Sequence, residues 1–323
     1  MEKTVGFPAT LFYYSHFPLW KTFFEKLDFK VETSPITTKE ILDMGVKETV
    51  TDACVPIKIY HGHVMELKDR VDYIFIPRMV SVNKEATFCP KFLGLPDMVR
   101  HSIDNLPQLI APRVDLKKGR FELWKVCKDI GEKLKKGTFQ IFQAYRSALK
   151  EQKDYENSLL SRAKPLDYLQ NNKNSNFLLS KNDTAVKLAI LGYPYELYDP
   201  FINVNFLKKL EAMNVEIHTV EMLTNEQLKC QISKIPKNLF WHYSNNVIRA
   251  HYHYLEKKLD GFIHVTAFGC GPDAMVDKLM ELSCKENGVP FMSLIIDEHS
   301  GEAGLITRLE AFVDMIRLRS ETR

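Results

Sequence analysis

Apolar positions along this chain fall into short runs that alternate with helical stripes. TVGFPATLF is an apolar run ending in a Pro-containing bend, after which Leu19, Trp20, Phe23, Phe24 and Leu27 recur at helical spacing. FKVETSP follows as a second strand, so the chain opens as a strand–helix–strand unit. DYIFIP again has strand character, while SVNKEATFCPKFLG is polar, punctuated by Pro and Gly, and reads as loop. These units predict a doubly wound, mostly parallel sheet within residues 1–115.

The pattern then changes. Over residues 116–182 Lys, Glu and Gln dominate, Trp124, Cys127, Ile130 and Leu134 keep a helical stripe, and no strand signal occurs. We read this stretch as a helical connector, with NNKNSN at 171–176 as loop. A second α/β unit, 183–323, begins at AVKLAILGYP, a strand closed by Gly192 and Pro194. A helix through Phe206, Leu207, Leu210 and Met213 follows, then the strand VEIHTV. GFIHVTAF and PFMSLII are near-continuous apolar strands, as expected when both faces of a sheet are covered. A last helix through Leu305, Ile306, Leu309, Phe312, Val313 and Ile316 closes the unit. The predicted architecture is α/β: two Rossmann-like domains with parallel sheets, joined by a helical connector.

Composition narrows the function classes. A length of 323 residues exceeds one typical core, and 45% hydrophobic with 26% charged residues is an ordinary globular balance. Lys plus Arg (44) against Asp plus Glu (41) leaves +3 without a dense basic stripe, which argues against a nucleic-acid surface. No run approaches the roughly 18 apolar residues of a spanning helix, and MEKTVGFPATLFYYSHF lacks the layout of a secretory signal. The expected location is cytoplasmic, away from membranes, where six cysteines would be free, buried or metal-bound rather than disulfide-paired.

Three of those cysteines share a setting. Cys54, in TDACVPIKIYHGH, lies just before Pro56; Cys89, in ATFCPKFLG, directly precedes Pro90; Cys270 lies between Gly269 and Gly271 in AFGCGPDAM, where a strand ends and a helix opens. Proline favours the first turn of a helix, and in open α/β sheets ligands bind beyond the strand carboxyl ends. Free N–H groups at such turns favour thiolate and can hydrogen-bond the sulfides of a cluster. The pattern suits a thiolate-bound cluster and suits a catalytic cysteine too. Zinc fits less well, because a structural site would want a fourth ligand at short spacing. Cys127 in a helical stripe and Cys284 one turn after Met280 read as buried hydrophobes, and Cys230 is assigned no role.

Other polar groups are candidates for supporting parts. His61 and His63 flank Gly62 and suit ordinary hydrogen bonding, with Lys58 and His61 the candidates for hydrogen bonds or proton delivery. His242, His251 and His253 in WHYSNNVIRAHYHYLEKKL look like a half-buried helix face rather than a metal site. Asp297, Glu298 and His299 end a strand; Glu298 and His299 are candidates for acid–base work, with capping of the next helix as the alternative. Gly269, Gly271 and Asp273 also fit G-x-G-x-x-A, the outline of a dinucleotide fingerprint. Against that reading, the motif comes late, with 26 residues after Asp297, and Pro272 removes an N–H that would face a pyrophosphate. No G-x-x-x-x-G-K-[ST] loop occurs.

The stretches VGFPATLFYYSHFPLWKTFFEKLDFKVETS, DACVPIKIYHGHV, FCPKFLGLPDMVR, FGCGPDAM and IIDEHSGEAGLITRLEAFVD resemble the uncharacterised domain associated with acyl-CoA dehydratase activases. That domain is similar to 2-hydroxyacyl-CoA dehydratase subunits, including the D-component, to benzoyl-CoA reductase subunits and to double-cubane cluster proteins. The resemblance implies two Rossmann-like domains meeting around a 4Fe–4S cluster at their interface, with Cys54, Cys89 and Cys270 as ligands and one iron open to a small-molecule substrate. It implies a partner too: an ATP-hydrolysing activase of the actin-like ATPase class, carrying its own iron–sulfur cluster and delivering low-potential electrons. The domain often stands fused to activase domains, which are not part of this sequence. Further cysteines for a second cubane are not evident, so a single 4Fe–4S cluster is expected.

The expected function is that of an iron–sulfur protein that accepts those electrons and reduces or activates a small substrate. The alternatives are a non-catalytic electron carrier or scaffold and, less favoured, a nucleotide-dependent oxidoreductase. The aromatic helix near 240–255 suggests a homodimer.

Overall fold

The computed structural model describes residues 3–119, 121–172, 175–177, 185–235, 238–299 and 301–321. Residues 173–174 of the expected loop and the expected boundary at 182–183 lie outside them. The chain divides into two compact units, Met1–Asn157 with Phe240–His242, and Ser158–Leu239 with Tyr243–Arg323.

The first unit runs β1 (Thr4–Phe7), α1 (Tyr13–Glu25), β2 (Lys30–Thr33), α2 (Lys39–Glu48), α3 (Val55–Leu67), β3 (Tyr73–Phe75), β4 (Arg78–Ser81), α4 (Pro90–Ser102), β5 (Gln108–Ile110), β6 (Arg113–Asp115), α5 (Phe121–Lys133) and α6 (Thr138–Leu160). Its main sheet is parallel, in the order β2-β1-β3-β5, with β4 and β6 forming a separate parallel pair. The aromatic stripe of α1 explains the packing on this sheet. Phe24 of α1 meets Phe7 of β1 at 5.8 Å and Phe75 of β3 at 5.3 Å, with Phe7 and Phe75 themselves 5.2 Å apart. Such ring contacts add about 0.5–1.5 kcal/mol each beyond the area they bury.

Two differences from the sequence reading have simple causes. SVNKEATFCPKFLG is loop only in its middle: Ser81 ends β4, and α4 begins at Pro90, where proline's missing N–H is no loss. Strands β5 and β6 have three residues each and stay partly exposed, too short for any alternation to register.

The second unit contains α7 (Pro165–Leu169), β7 (Val186–Gly192), α8 (Pro194–Leu197), α9 (Phe206–Ala212), β8 (Val215–His218), α10 (Asn225–Lys229), α11 (His242–Glu256), β9 (Gly261–Ala267), α12 (Gly271–Glu286), β10 (Phe291–Ile296) and α13 (Glu302–Glu321). Its sheet is parallel in the order β10-β9-β7-β8. All seven residues of β9 are buried, the signature of a strand covered on both faces. Each sheet therefore reverses its winding once, between β1 and β3 in the first unit and between β7 and β9 in the second. Crevices for ligands open outside the strand carboxyl ends at such points. The protein is an α/β chain of two Rossmann-like units. Among the described residues no helix is long and apolar enough to cross a membrane.

Candidate functional site

Cys54, Cys89 and Cys270 occupy the same local position: each is the residue that precedes the first turn of a helix, α3, α4 and α12 respectively. Each helix has proline in its first two positions. Each cysteine carbonyl accepts the first helical bond, from Lys58 N–H (3.3 Å), Leu93 N–H (3.4 Å) and Ala274 N–H (2.9 Å). None of the three side chains caps its own helix, and all three thiols are half-buried. A soft donor is thus set at the positive end of a helix dipole three times over.

In the first unit the two cysteine loops are tied together. Lys91 Nζ, in the first turn of α4, donates to the Asp52 carbonyl at 3.5 Å. Burial pushes the Cys89 thiol up; the N–H groups of Phe92 and Lys91 pull against it, and the neighbouring Cys54 adds to the rise. Phe12, in the loop after β1, packs edge-on against Phe88 and Phe92, at 5.9 and 4.6 Å. A second brace was beyond sequence reasoning. Phe240–His242 return to this unit, where Thr87 N–H donates to the Phe240 carbonyl (2.9 Å) and His242 N–H to the Thr87 carbonyl (2.8 Å), two residues from Cys89.

The polar residues of α3 are committed to the fold. Lys58 is 4% exposed. His61 is buried and donates Nδ1–H to the Ile57 carbonyl of its own helix (2.8 Å), and burial holds its pKa below the ordinary value. His63 is fully buried, with Nε2 2.9 Å from Thr37 Oγ1 and Nδ1 2.8 Å from Ser34 Oγ; burial pushes its pKa down to about 3. Ser34 Oγ also accepts the Ala9 N–H (2.8 Å), so His63 links α3 to the loop that follows β1.

In the second unit Cys270 follows a tight turn. Its N–H donates to the Ala267 carbonyl (3.1 Å), and Gly269, third in that turn, has φ +78°. This is the place a turn of this kind reserves for glycine. Gly271 opens α12, and Asp273, two residues on, is fully buried. Around them stand groups that sequence reasoning missed. Tyr193, just beyond β7, shares a 2.6 Å hydrogen bond with Ser244. Its pKa is raised well above the ordinary value, by burial first and then by the negative charge of Asp273 and Cys270. His264 in the middle of β9 contacts Asp277 Oδ1 through Nδ1 (2.7 Å) and Asp273 Oδ1 through Nε2 (3.3 Å). The visible signal was a histidine inside an apolar strand, followed by two aspartates four apart.

Asp297, Glu298 and His299 form the turn after β10, where His299 is exposed and its N–H donates to Asp297 Oδ1 (2.8 Å). Cys127 and Cys284 are fully buried, which raises both thiol pKa values, that of Cys284 to about 12. Cys230 is exposed. Among the described residues no group of three or more His, Cys, Asp or Glu side chains is gathered as a metal cage. Each of the three half-buried cysteines is by itself a soft donor beside the N–H groups of a helix opening.

Residues 215–316 match the family described as 2-hydroxyglutaryl-CoA dehydratase, D-component. No curated protein matches the chain. Residues 4–223 match the family described as the CoA enzyme activase uncharacterised domain (DUF2229), so that the span holding β1 through β8, Cys54 and Cys89 places this chain in that family.

Proposed function

We propose that this protein is an iron–sulfur component of the CoA dehydratase type, with Cys54, Cys89 and Cys270 as the residues that would hold a 4Fe–4S cluster. The observation that carries the reading is the threefold repetition of one design, a half-buried cysteine immediately before a helix with proline in its opening turn. A bound cluster would supply one-electron chemistry at low potential and an iron open to a small-molecule substrate. The chain's own contribution is positional. Helix dipoles at α3, α4 and α12 favour negatively charged sulfur. The positive φ of Gly269 closes the turn that sets Cys270 at the opening of α12, and Phe12 packs on Phe88 and Phe92, on either side of Cys89.

The electron donor in this reading is an ATP-hydrolysing activase of the actin-like class with its own cluster. The family matches, to an activase-associated domain and to a dehydratase D-component, support that pairing. A cytoplasmic setting and assembly as a homodimer complete the proposal.

A second reading, a carrier that passes electrons without catalysis, is favoured by one observation. His61, the nearest imidazole to Cys54 in sequence, already donates Nδ1–H within its own helix and resists protonation. The test is anaerobic purification, or reconstitution, followed by iron and sulfide analysis. About four of each per chain is expected for a single cubane. Protein that stays free of iron after reconstitution would overturn the reading. Substrate turnover with the activase and ATP separates catalyst from carrier.

A further inference from the structure

We propose that His264 is a positioning residue for Cys270: through Asp273 and Asp277 it clamps the opening of α12 to β9 and so sets how the thiol is presented. Asp273 and Asp277 lie four residues apart and share one face of α12. The His264 ring, with no exposure of its own, stands between them at 3.3 and 2.7 Å.

Capping does not account for this arrangement. A carboxylate at the third helical position ordinarily reaches back to the N–H before the helix, but the Cys270 N–H is donated to the Ala267 carbonyl. Among the described residues neither Asp273 oxygen accepts a hydrogen bond, although the side chain is completely buried. Burying a carboxylate is costly unless a counter-charge compensates it, and the cation facing Asp273 is His264.

The residue next to Cys270 is not itself wedged in place. A Cβ placed on Gly271 would meet nothing within 4 Å. The ion-paired imidazole adds a polar tether between the opening of α12 and β9. Cys270 lies three residues before Asp273, at the start of the same helix, so a carboxylate held against β9 acts on the turn that presents the thiol. The two carboxylates hold the imidazole in its charged form. His251, on α11, also faces it and bonds Ser283 Oγ through Nε2 (2.9 Å).

The test uses the full chain, and only its iron arm rests on the reading of Cys270 as a cluster ligand. Iodoacetamide alkylation of the metal-free protein, read by peptide mass spectrometry, follows Cys54, Cys89 and Cys270 side by side. In His264→Gln and Asp273→Asn the Cys270 rate should change by roughly tenfold relative to Cys54 and Cys89. A tenfold change corresponds to about 1.4 kcal/mol in how readily the reactive thiolate is presented. In reconstituted protein the same variants should yield iron to a chelator about 10–100-fold more readily.

Folded variants whose Cys270 rate matches the wild type would overturn the proposal, even with a lowered melting temperature, since stability alone would not single out one thiol. Should His264→Gln fail to fold, Asp277→Asn decides, because that side chain is 20% exposed and tolerates the change. A selective change at Cys270 supports the clamp, and none removes it. A wild type that takes up no iron would sink the cluster reading while leaving the alkylation result to stand or fall alone.

Discussion

Gly45 of α2 lies directly against the backbone of Lys58 in α3: a Cβ on Gly45 would fall 1.7 Å from the Lys58 carbonyl oxygen. The relation is reciprocal, since a Cβ on Gly62 of α3 would fall 1.9 Å from the Ile41 carbonyl oxygen of α2. Both obstacles are backbone, which cannot swing aside as a side-chain tip does. The helix that begins at Cys54 is therefore seated by two glycines. Gly45→Ala or Gly62→Ala should force the helices apart at about 1–3 kcal/mol, the usual cost of overpacking. A lowered melting transition checks this, and wild-type melting of both variants would refute it.

The six cysteines should divide by position. Cys54→Ala, Cys89→Ala and Cys270→Ala should each prevent stable iron loading, while Cys230→Ser, at an exposed position, should leave it unchanged. In the native protein Cys127 and Cys284 should resist alkylation, because both are fully buried with raised thiol pKa values. Iron retained in full by a Cys270→Ala protein would remove that residue from the ligand set.

Much of this was legible in the sequence, for physical reasons. Strands buried on both faces, such as GFIHVTAF, read as apolar runs whatever their neighbours are. Proline after Cys54 marked the opening of α3, because proline is tolerated there and not further in, whereas the same signal at Cys89-Pro90 was masked by the polar, Gly-punctuated stretch around it and read as loop. Strand order, and with it the reversals between β1 and β3 and between β7 and β9, is a property of pairings that no local pattern encodes. Nor could spacing reveal that Phe240 and His242 bond to Thr87, more than 150 residues away in sequence. His264 was hidden for a related reason: a buried histidine is unremarkable until its two aspartates are seen beside it.

Acid should weaken the first unit through His63. Its folded pKa, about 3, is depressed from 6.5 because burial disfavours the charged ring. For a base with a depressed folded pKa, stability is complete above the unfolded value and declines as pH falls toward the folded one. The window is pH 6.5 down to about 3, with a slope of about 1.4 kcal/mol per pH unit for one proton. Trp20, buried in this unit, offers a fluorescence signal for urea midpoints. His63→Gln, which cannot titrate, should reduce that slope, leaving the share of His16 and His61, whose pKa values burial also lowers; equal slopes in variant and wild type would discount His63.

Alkali should weaken the second unit through His264, and here the sign is opposite. Asp273 and Asp277 hold the imidazolium against the burial that opposes it, so the folded pKa rises from 6.5 to about 10. A base with a raised folded pKa contributes its full stability below the unfolded value and loses it as pH climbs through the folded one. The decline therefore spans pH 6.5 to about 10. His251, pushed down to about 4 by burial and by the neighbouring His264 charge, titrates on the acid side and does not contribute to this fall. All three tryptophans belong to the first unit, so the second is better followed by proteolysis in urea, with peptides from β9 and α12 read by mass spectrometry. Wild-type protein should become cleavable at lower urea as pH rises from 7 to 9, and His264→Gln should start less stable but change little over that range, above which the buried Cys284 thiol adds a decline of its own in both proteins. A variant that loses stability in parallel with the wild type would mean that the alkaline transition belongs to some other group, and that the imidazolium of His264 is not what holds α12 to its sheet.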